Sequence, residues 1–209
     1  VAMLLYLARH AETVFNADRR MQGNGAHTPL TRAGIGQAEA MGAALAAHFG
    51  PEADIDIWAS PAGRTLQTVA VVAEHLGRDF FDVRADPRLF EIDVGRWQRR
   101  RYADIVAEQG AITDPVRHAF NVHPPGGEYY PEIAARLEDW LAGLDTSRTA
   151  LVVSHGITLR VLRGLLAGGA VFEGVAFADD APQGTVFRIE DGVETALHLG
   201  TGSVAPRAA

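Results

Sequence analysis

No cysteine occurs among the 209 residues. A disulfide framework, a thiolate nucleophile and a Cys-ligated zinc site are therefore excluded, and with them every phosphatase chemistry that runs through a cysteine. Positive charge is also scarce: 19 Lys and Arg stand against 26 Asp and Glu, a formal net charge of −7. Sequence-independent binding of nucleic acid needs a basic footprint, so nucleic acid is not an expected partner. Long hydrophobic runs are missing as well. Every apolar stretch falls short of the ~20 residues that span a bilayer, and Val1-Ala2-Met3 leads into a strand pattern instead of the long apolar region of a signal peptide. The expectation is a soluble, cytoplasmic protein with no membrane partner. A chain of this length suits one α/β domain with at most a modest insert, and can bury a core without staples.

What is present alternates between strand and helix. Met3–Ala8 is a short apolar run and reads as a buried strand. Phe15–Thr28, rich in Gly, Asn, Asp and Arg, reads as a loop. Thr31 stands as N-cap before a helix with Ile35, Ala38, Met41 and Leu45 on one face, ending near Gly50-Pro51. Ile55–Ala59 predicts a second strand, Gly63–Leu76 a second helix and Phe80–Val83 a third strand. Residues 87–130 are less regular. They carry the run Arg99-Arg100-Arg101, a short helix at Tyr102–Gln109 and the loop His123–Gly127, and are expected to form a cap insert over the mouth of the sheet within a single domain spanning 1–209. Glu132–Leu144 is an amphipathic helix, Thr149–Val153 a buried strand followed by another helix, and Thr185–Ile189 with Glu194–Leu199 a closing hairpin turning at Asp191-Gly192. The tail around Pro206 is expected to be loose. The alternation implies an α/β fold: a mostly parallel central sheet with helices on both faces.

Chemistry-bearing residues recur where strands stop. The first strand ends in Arg9-His10, the second in Ser60-Pro61 leading to Arg64, and the Thr149–Val153 strand in Ser154-His155-Gly156. Open α/β sheets hold their ligands beyond the carboxyl ends of the strands. If these three strands are neighbours, two histidines and two arginines converge on one point, and the acidic chain acquires a strongly positive site.

Arg9-His10-Ala11-Glu12-Thr13-Val14-Phe15-Asn16 resembles the signature of the histidine phosphatase superfamily, also called the phosphoglycerate mutase-like family. Gln22-Gly23 with Pro29–Gly34, then Ser60–Thr68, Leu89–Trp97, Pro125–Glu128 and Val152–Gly156, resemble its further blocks in order. The resemblance implies that His10 is a nucleophile that forms phosphohistidine through Nε2, with Nδ1–H held by a backbone carbonyl. It implies that Arg9 and Arg64 grip the phosphoryl oxygens, as planar guanidinium donors suit. His155 would donate to the same group as an imidazolium favoured by the bound dianion, helped by the backbone N–H groups of the helix that begins at Gly156. Glu91 is the candidate general acid, with Glu12 a rival carboxylate. Asn16 either donates to the phosphoryl group or stabilises its own turn. Thr13, Gln22 and Gly23 either line the substrate side of the pocket or shape the loop. Neither metal nor cofactor is expected, because the arginines and histidines supply the positive charge.

Four positions depart from the family pattern. Ala11 stands for a common glycine, where a special backbone angle would be strained. Gln98-Arg99 replaces Glu-Gly after Trp97, Tyr129 a small hydroxyl residue, and His27-Thr28 an acidic position. The resemblance thus points to a phosphomonoester hydrolase acting on a small phosphorylated metabolite. Phosphoglycerate mutase-type transfer and non-catalytic phospho-ligand binding are the alternatives. The Arg-rich stretch and Trp97 point to a multiply anionic or ring-bearing substrate, and exposed edge elements leave room for a homodimer.

Overall fold

The computed structural model describes residues 3–25 and 27–203. The expected loose tail at Pro206 lies outside them. Eight strands and six α-helices follow one another as β1 (Leu4–Arg9), α1 (Val14–Ala17), α2 (Arg32–Phe49), β2 (Ile55–Ala59), α3 (Gly63–His75), β3 (Arg84–Ala85), α4 (Tyr102–Gln109), α5 (Tyr130–Ala142), β4 (Thr149–Ser154), α6 (Gly156–Ala167), β5 (Ala170–Phe172), β6 (Val175–Phe177), β7 (Val186–Glu190) and β8 (Val193–His198) among the described residues. The main sheet runs β3-β2-β4-β1-β7-β8. Its β3-β2, β2-β4 and β4-β1 pairs are parallel, and β7 and β8 are added antiparallel. The expected mostly parallel α/β sheet is the one observed.

The two-residue period of the central strands splits the core. Leu5 and Leu7 of β1 with Ala150 and Val152 of β4 join one cluster, which also holds Ile133, Leu137 and Trp140 of α5 and Leu159, Val161 and Leu162 of α6. Tyr6 and Ala8 with Leu151 and Val153 join the other, under Met41 and Leu45 of α2 and Val69 and Val72 of α3. Both faces are buried because successive side chains point to opposite sides of the sheet. The irregular 87–130 segment is continuous with the first cluster: Leu89, Ile92, Val94, Trp97, Ile105 and Ile112 are buried there beside the sheet residues.

Local chemistry sets the boundaries. The Thr31 hydroxyl accepts the Gly34 N–H at 2.9 Å and starts α2, and Gly50, at φ +73°, ends it. Ala38, Met41 and Leu45 are buried as their spacing predicts, but Ile35 is 43% exposed, while Gly34 beside it is the residue of the first turn that packs inward. The predicted strand at Phe80–Val83 is instead a 3₁₀ turn, Phe80–Asp82. The Asp79 carboxylate accepts the Phe81 N–H at 2.9 Å and winds the chain, against the strand preference of two adjacent aromatics. Pairing with β2 begins only at Arg84. The Phe15–Thr28 loop opens with the end of the four-residue helix α1, capped by Thr13. The β5-β6 hairpin is an element the sequence pattern did not disclose.

Candidate active site

The parallel register sets Arg9 of β1 opposite Ser154 of β4, and Ala59 of β2 opposite Val153. The ladders extend one residue past the strands: His10 N–H donates to the Ser154 carbonyl at 2.9 Å, and Ser60 N–H to that of Val153 at 3.0 Å. Three strand ends lie side by side. The His10 and His155 rings are 5.2 Å apart between centroids, at 64°.

His10 is buried, and its Nδ1 lies 2.7 Å from the Ala11 carbonyl oxygen. A carbonyl only accepts, so Nδ1 carries the proton and Nε2 does not. Burial, followed by the charge of Arg64, holds the His10 pKa well below its ordinary 6.5, although the Ala11 bond acts the other way. The ring is neutral at pH 7, with a free lone pair on Nε2. Ala11, whose N–H donates to Thr68 Oγ1 at 3.1 Å, is not among the residues with positive φ. The strain expected there is absent.

Arg64 is fully buried at the start of α3. Its Nε donates to His155 Nδ1 at 3.1 Å, one terminal nitrogen to the Gly25 carbonyl at 2.8 Å and Thr28 Oγ1 at 3.2 Å, and the other to the Gly23 carbonyl at 2.7 Å. Four of its five N–H groups are thus spent on the protein. Burial pulls its pKa down to about 10, with Glu91 opposing, so it stays charged at neutral pH. Gly23 is at φ +52°, and a Cβ there would come within 2.6 Å of Val94 Cγ2, so the carbonyl that receives Arg64 depends on a glycine.

Arg9 is held differently. It pairs with Asp180 at 3.1 Å and donates to the Ala181 carbonyl through the same nitrogen, while its buried Nε has no partner among the described residues. Its guanidinium lies against Gly156, where a Cβ would stand only 3.1–3.3 Å from it.

His155 is buried between Arg64 and Ser60. Because Arg64 Nε donates to Nδ1, the ring proton sits on Nε2 and faces Ser60 Oγ at 2.7 Å. Burial first, then Arg64, His10, Arg136 and Arg9, pushes its pKa well below 6.5, so an imidazolium here depends on a bound dianion.

The start of α6 departs from expectation. The Glu91 carboxylate accepts the backbone N–H groups of Ile157 at 3.1 Å and Thr158 at 3.0 Å, its own neighbour Ile92 N–H at 3.0 Å and the Thr158 hydroxyl at 3.2 Å. The helix terminus expected to serve the phosphoryl group is capped by this carboxylate, an arrangement the macrodipole favours. Arg136, paired through two nitrogens to Glu128 at 2.7 and 3.1 Å, reaches Thr158 Oγ1 at 3.4 Å and braces the same turn. Glu12 is anchored by the Thr31 hydroxyl at 2.7 Å.

Thr13, Asn16 and Gln22 form one unit. Thr13 N–H donates to Asn16 Oδ1 at 3.0 Å, Asn16 N–H to Thr13 Oγ1 at 3.1 Å, and Thr13 Oγ1 lies 2.7 Å from Gln22 Oε1. Both readings of Asn16 are compatible here, since its oxygen closes the turn and its amide nitrogen bonds nothing among the described residues.

A cavity of about 760 Å³ opens over these groups, and Arg9, His10, Glu12, Asn16, Gln22, Gly23, Arg64, Glu91 and Gly156 are in its lining. His155 and Thr13 lie beneath the lining. The arginine run does not clamp it: Arg100 pairs with Glu108, and Arg101 with Asp18 at 2.9 Å. Trp97 is buried in the core, 5.6 Å from Phe120, and does not reach the cavity. Sequence reasoning missed Ser60, Asp180 and the Glu128–Arg136 pair. Ser60 closes a strand already singled out and could have been found. Asp180 follows no pattern at all. Among the described residues no group of three or more His, Cys, Asp or Glu is placed to hold a metal ion, and no helix is long and apolar enough to cross a membrane.

Fold and site together define an α/β protein with a positively charged, histidine-bearing pocket at its strand ends. The chain belongs to the histidine phosphatase superfamily (branch 1), whose family model matches residues 5–200. It is 36% identical over 168 residues, 78% of this chain and 74% of the relative, to a protein named "Probable phosphoglycerate mutase GpmB" from Enterobacter sp. strain 638. Among solved structures, Mycobacterial hydrolase 1 is similar with a TM-score of 0.75 and 27% identity, covering 90% of this chain and 88% of that one. A mycobacterial glucosyl-3-phosphoglycerate phosphatase is similar with a TM-score of 0.74 and 25% identity, over 97% and 100%.

Proposed function

We propose that this protein hydrolyses phosphomonoesters of a small metabolite through a phosphohistidine on His10, without metal or cofactor. The observation that supports this most is the His10 imidazole: neutral, fixed by Ala11 in the tautomer that leaves Nε2 unprotonated, and set in the wall of a cavity between two guanidinium groups. The Nε2 lone pair attacks phosphorus, the P–O ester bond breaks, and Glu91 delivers a proton to the leaving alkoxide. A water then attacks phosphorus, giving its proton to Glu91 and releasing inorganic phosphate and free His10. Arg9 and the remaining Arg64 N–H hold the phosphoryl oxygens. A phosphoryl dianion beside His155 raises that ring's pKa, so it can gain a proton on Nδ1 and free Arg64 Nε for the same oxygens.

The relatives divide between names of mutases and phosphatases, and the name of the first relative favours transfer as a second reading. Arg100 and Arg101 are engaged on acidic partners and do not clamp a mutase substrate, which supports hydrolysis over transfer. The test assays the wild type and His10→Ala on a panel of phosphate esters and on 3-phosphoglycerate with a bisphosphoglycerate primer. Hydrolysis is expected for the wild type, with acid-labile ³²P on the protein, and neither for the variant. Equal turnover by both proteins removes His10 from the reaction. Interconversion of phosphoglycerates without net phosphate release establishes the transferase instead.

A further inference from the structure

The cavity wall holds cationic and hydrogen-bonding capacity that the chemistry above leaves unused. Arg19 and His118 are both in the lining, on separate segments of the chain, and both hold a left-handed backbone, at φ +51° each, which side-chain-bearing residues rarely adopt. Each is held there from several directions. The Arg19 carbonyl accepts the Tyr102 N–H at 3.0 Å at the start of α4. His118 sits in a turn closed by Asp114, whose carboxylate accepts the Val116 and Arg117 N–H groups at 2.9 and 2.6 Å. The buried Arg160 then donates to the Arg117 and His118 carbonyls at 2.6 and 3.3 Å. Strained residues persist where the surroundings over-determine them, and such places cluster at ligand sites.

Their side chains, by contrast, have no polar partner among the described residues. Arg20 next door is paired with Asp18 at 2.5 Å, whereas the Arg19 guanidinium and the His118 ring make no hydrogen bond or ion pair among the described residues. The carboxylates in the same lining are already engaged: Glu12 by Thr31, Glu91 by the start of α6, Asp180 by Arg9. Phe15, Tyr102 and Phe120 add apolar wall.

Resting on the hydrolase reading, we propose that Arg19 and His118 form a subsite for a second anionic group of the substrate. The preferred ester then carries an apolar or ring-bearing body between its phosphate and that anion. Arg19 supplies a charge-assisted bond and His118 a ring N–H.

The test compares 4-carboxybenzyl phosphate with 4-carbamoylbenzyl phosphate, whose leaving alcohols are alike apart from the charge. The wild type is expected to favour the carboxylate by about tenfold or more in kcat/KM. That ratio should collapse toward one in Arg19→Asn, which tolerates the left-handed backbone, be reduced in His118→Gly, and be partly kept in Arg19→Lys. A wild-type ratio of one, or a ratio unchanged in Arg19→Asn, overturns the subsite. If neither ester is turned over, the hydrolase reading is judged by the ester panel with His10→Ala, and calorimetry with 4-carboxybenzylphosphonate and its carboxamide decides the subsite. Tighter binding of the carboxylate, lost in Arg19→Asn, supports it, and equal binding overturns it.

Discussion

The floor of the cavity and its rim are built on opposite plans. On the floor, the ends of β1, β2 and β4 place His10, Arg64 and His155 in full burial, and nearly every polar atom there is spoken for. Around the rim and just outside it, Arg19, Arg99 and His118 stand on left-handed backbone, and Arg20, Arg100 and Arg101 make partly exposed ion pairs. Even the departure at Gln98-Arg99 obeys this division: Arg99, at φ +66°, takes the left-handed conformation that a glycine adopts without cost. A buried network tolerates few substitutions because each lost partner strands another group, whereas exposed pairs contribute little and change freely. On the proposed function and subsite, the difference keeps chemistry and choice of substrate apart: reaction on the regular strand ends, selection on the irregular turns above them.

The contrast breaks first at Arg64. Arg64→Ala strands the Gly23 and Gly25 carbonyls and His155 Nδ1 in the interior, and is expected to cost about 3 kcal/mol or more in urea unfolding and roughly 10³-fold in kcat/KM. Arg64→Lys should restore little, because one ammonium cannot meet acceptors arranged for a planar fork. Arg101→Ala, which removes the exposed pair with Asp18, should move stability by no more than about 1 kcal/mol. Similar losses at both positions would erase the distinction between floor and rim.

Much of the floor was legible in advance because it rests on regular elements. Leu5 to Ala8 and Ala150 to Val153 announce buried strands by composition, and the residues just after them must emerge at one sheet end. The short elements were not legible. α1 has four residues and β5 and β6 three each, too few for a period to show. Phe80–Val83 failed because a single Asp79 bond outweighed aromatic strand preference. At the site, residue types disclosed which side chains meet but not how their bonds are shared. Nothing in the order of residues says that Glu91 takes the α6 N–H groups, that Arg9 turns to Asp180, or that Arg101 pairs with Asp18.

Glu91 sharpens the comparison, because it belongs to the irregular segment yet is tied to the floor. If it is the proton donor as well as the cap of α6, Glu91→Gln should lower kcat by about 10²-fold for esters with poor leaving groups. It should lower kcat far less for 4-nitrophenyl phosphate, whose leaving group needs no proton. Glu12→Gln should show no such dependence on the leaving group. A purely capping role predicts the same loss for every ester, together with a drop in melting temperature, since an amide answers the helix dipole less well. Dependence on the leaving group in Glu12→Gln alone would move the acid to residue 12.

The smallest effect, and the most selective for the floor, is in pH. His10 and His155 keep their folded pKa values well below 6.5, His10 through burial and Arg64, His155 through burial, Arg64 and His10. In the unfolded chain each ring takes up a proton as pH falls through ~6.5. Below that pH the unfolded state therefore binds more protons than the folded one, and stability must decline as pH falls; above it both rings are neutral in both states and contribute no slope. Each histidine can add at most about 1.4 kcal/mol per pH unit to that decline. Urea unfolding between pH 7.5 and 5.5 should show the slope in the wild type and a shallower one in His10→Ala. The Arg101→Ala protein should keep the wild-type slope, since its exposed pair with Asp18 touches neither ring. An unchanged slope in His10→Ala would mean that this ring titrates alike in the folded and unfolded chains, so that burial and Arg64 do not hold its pKa down.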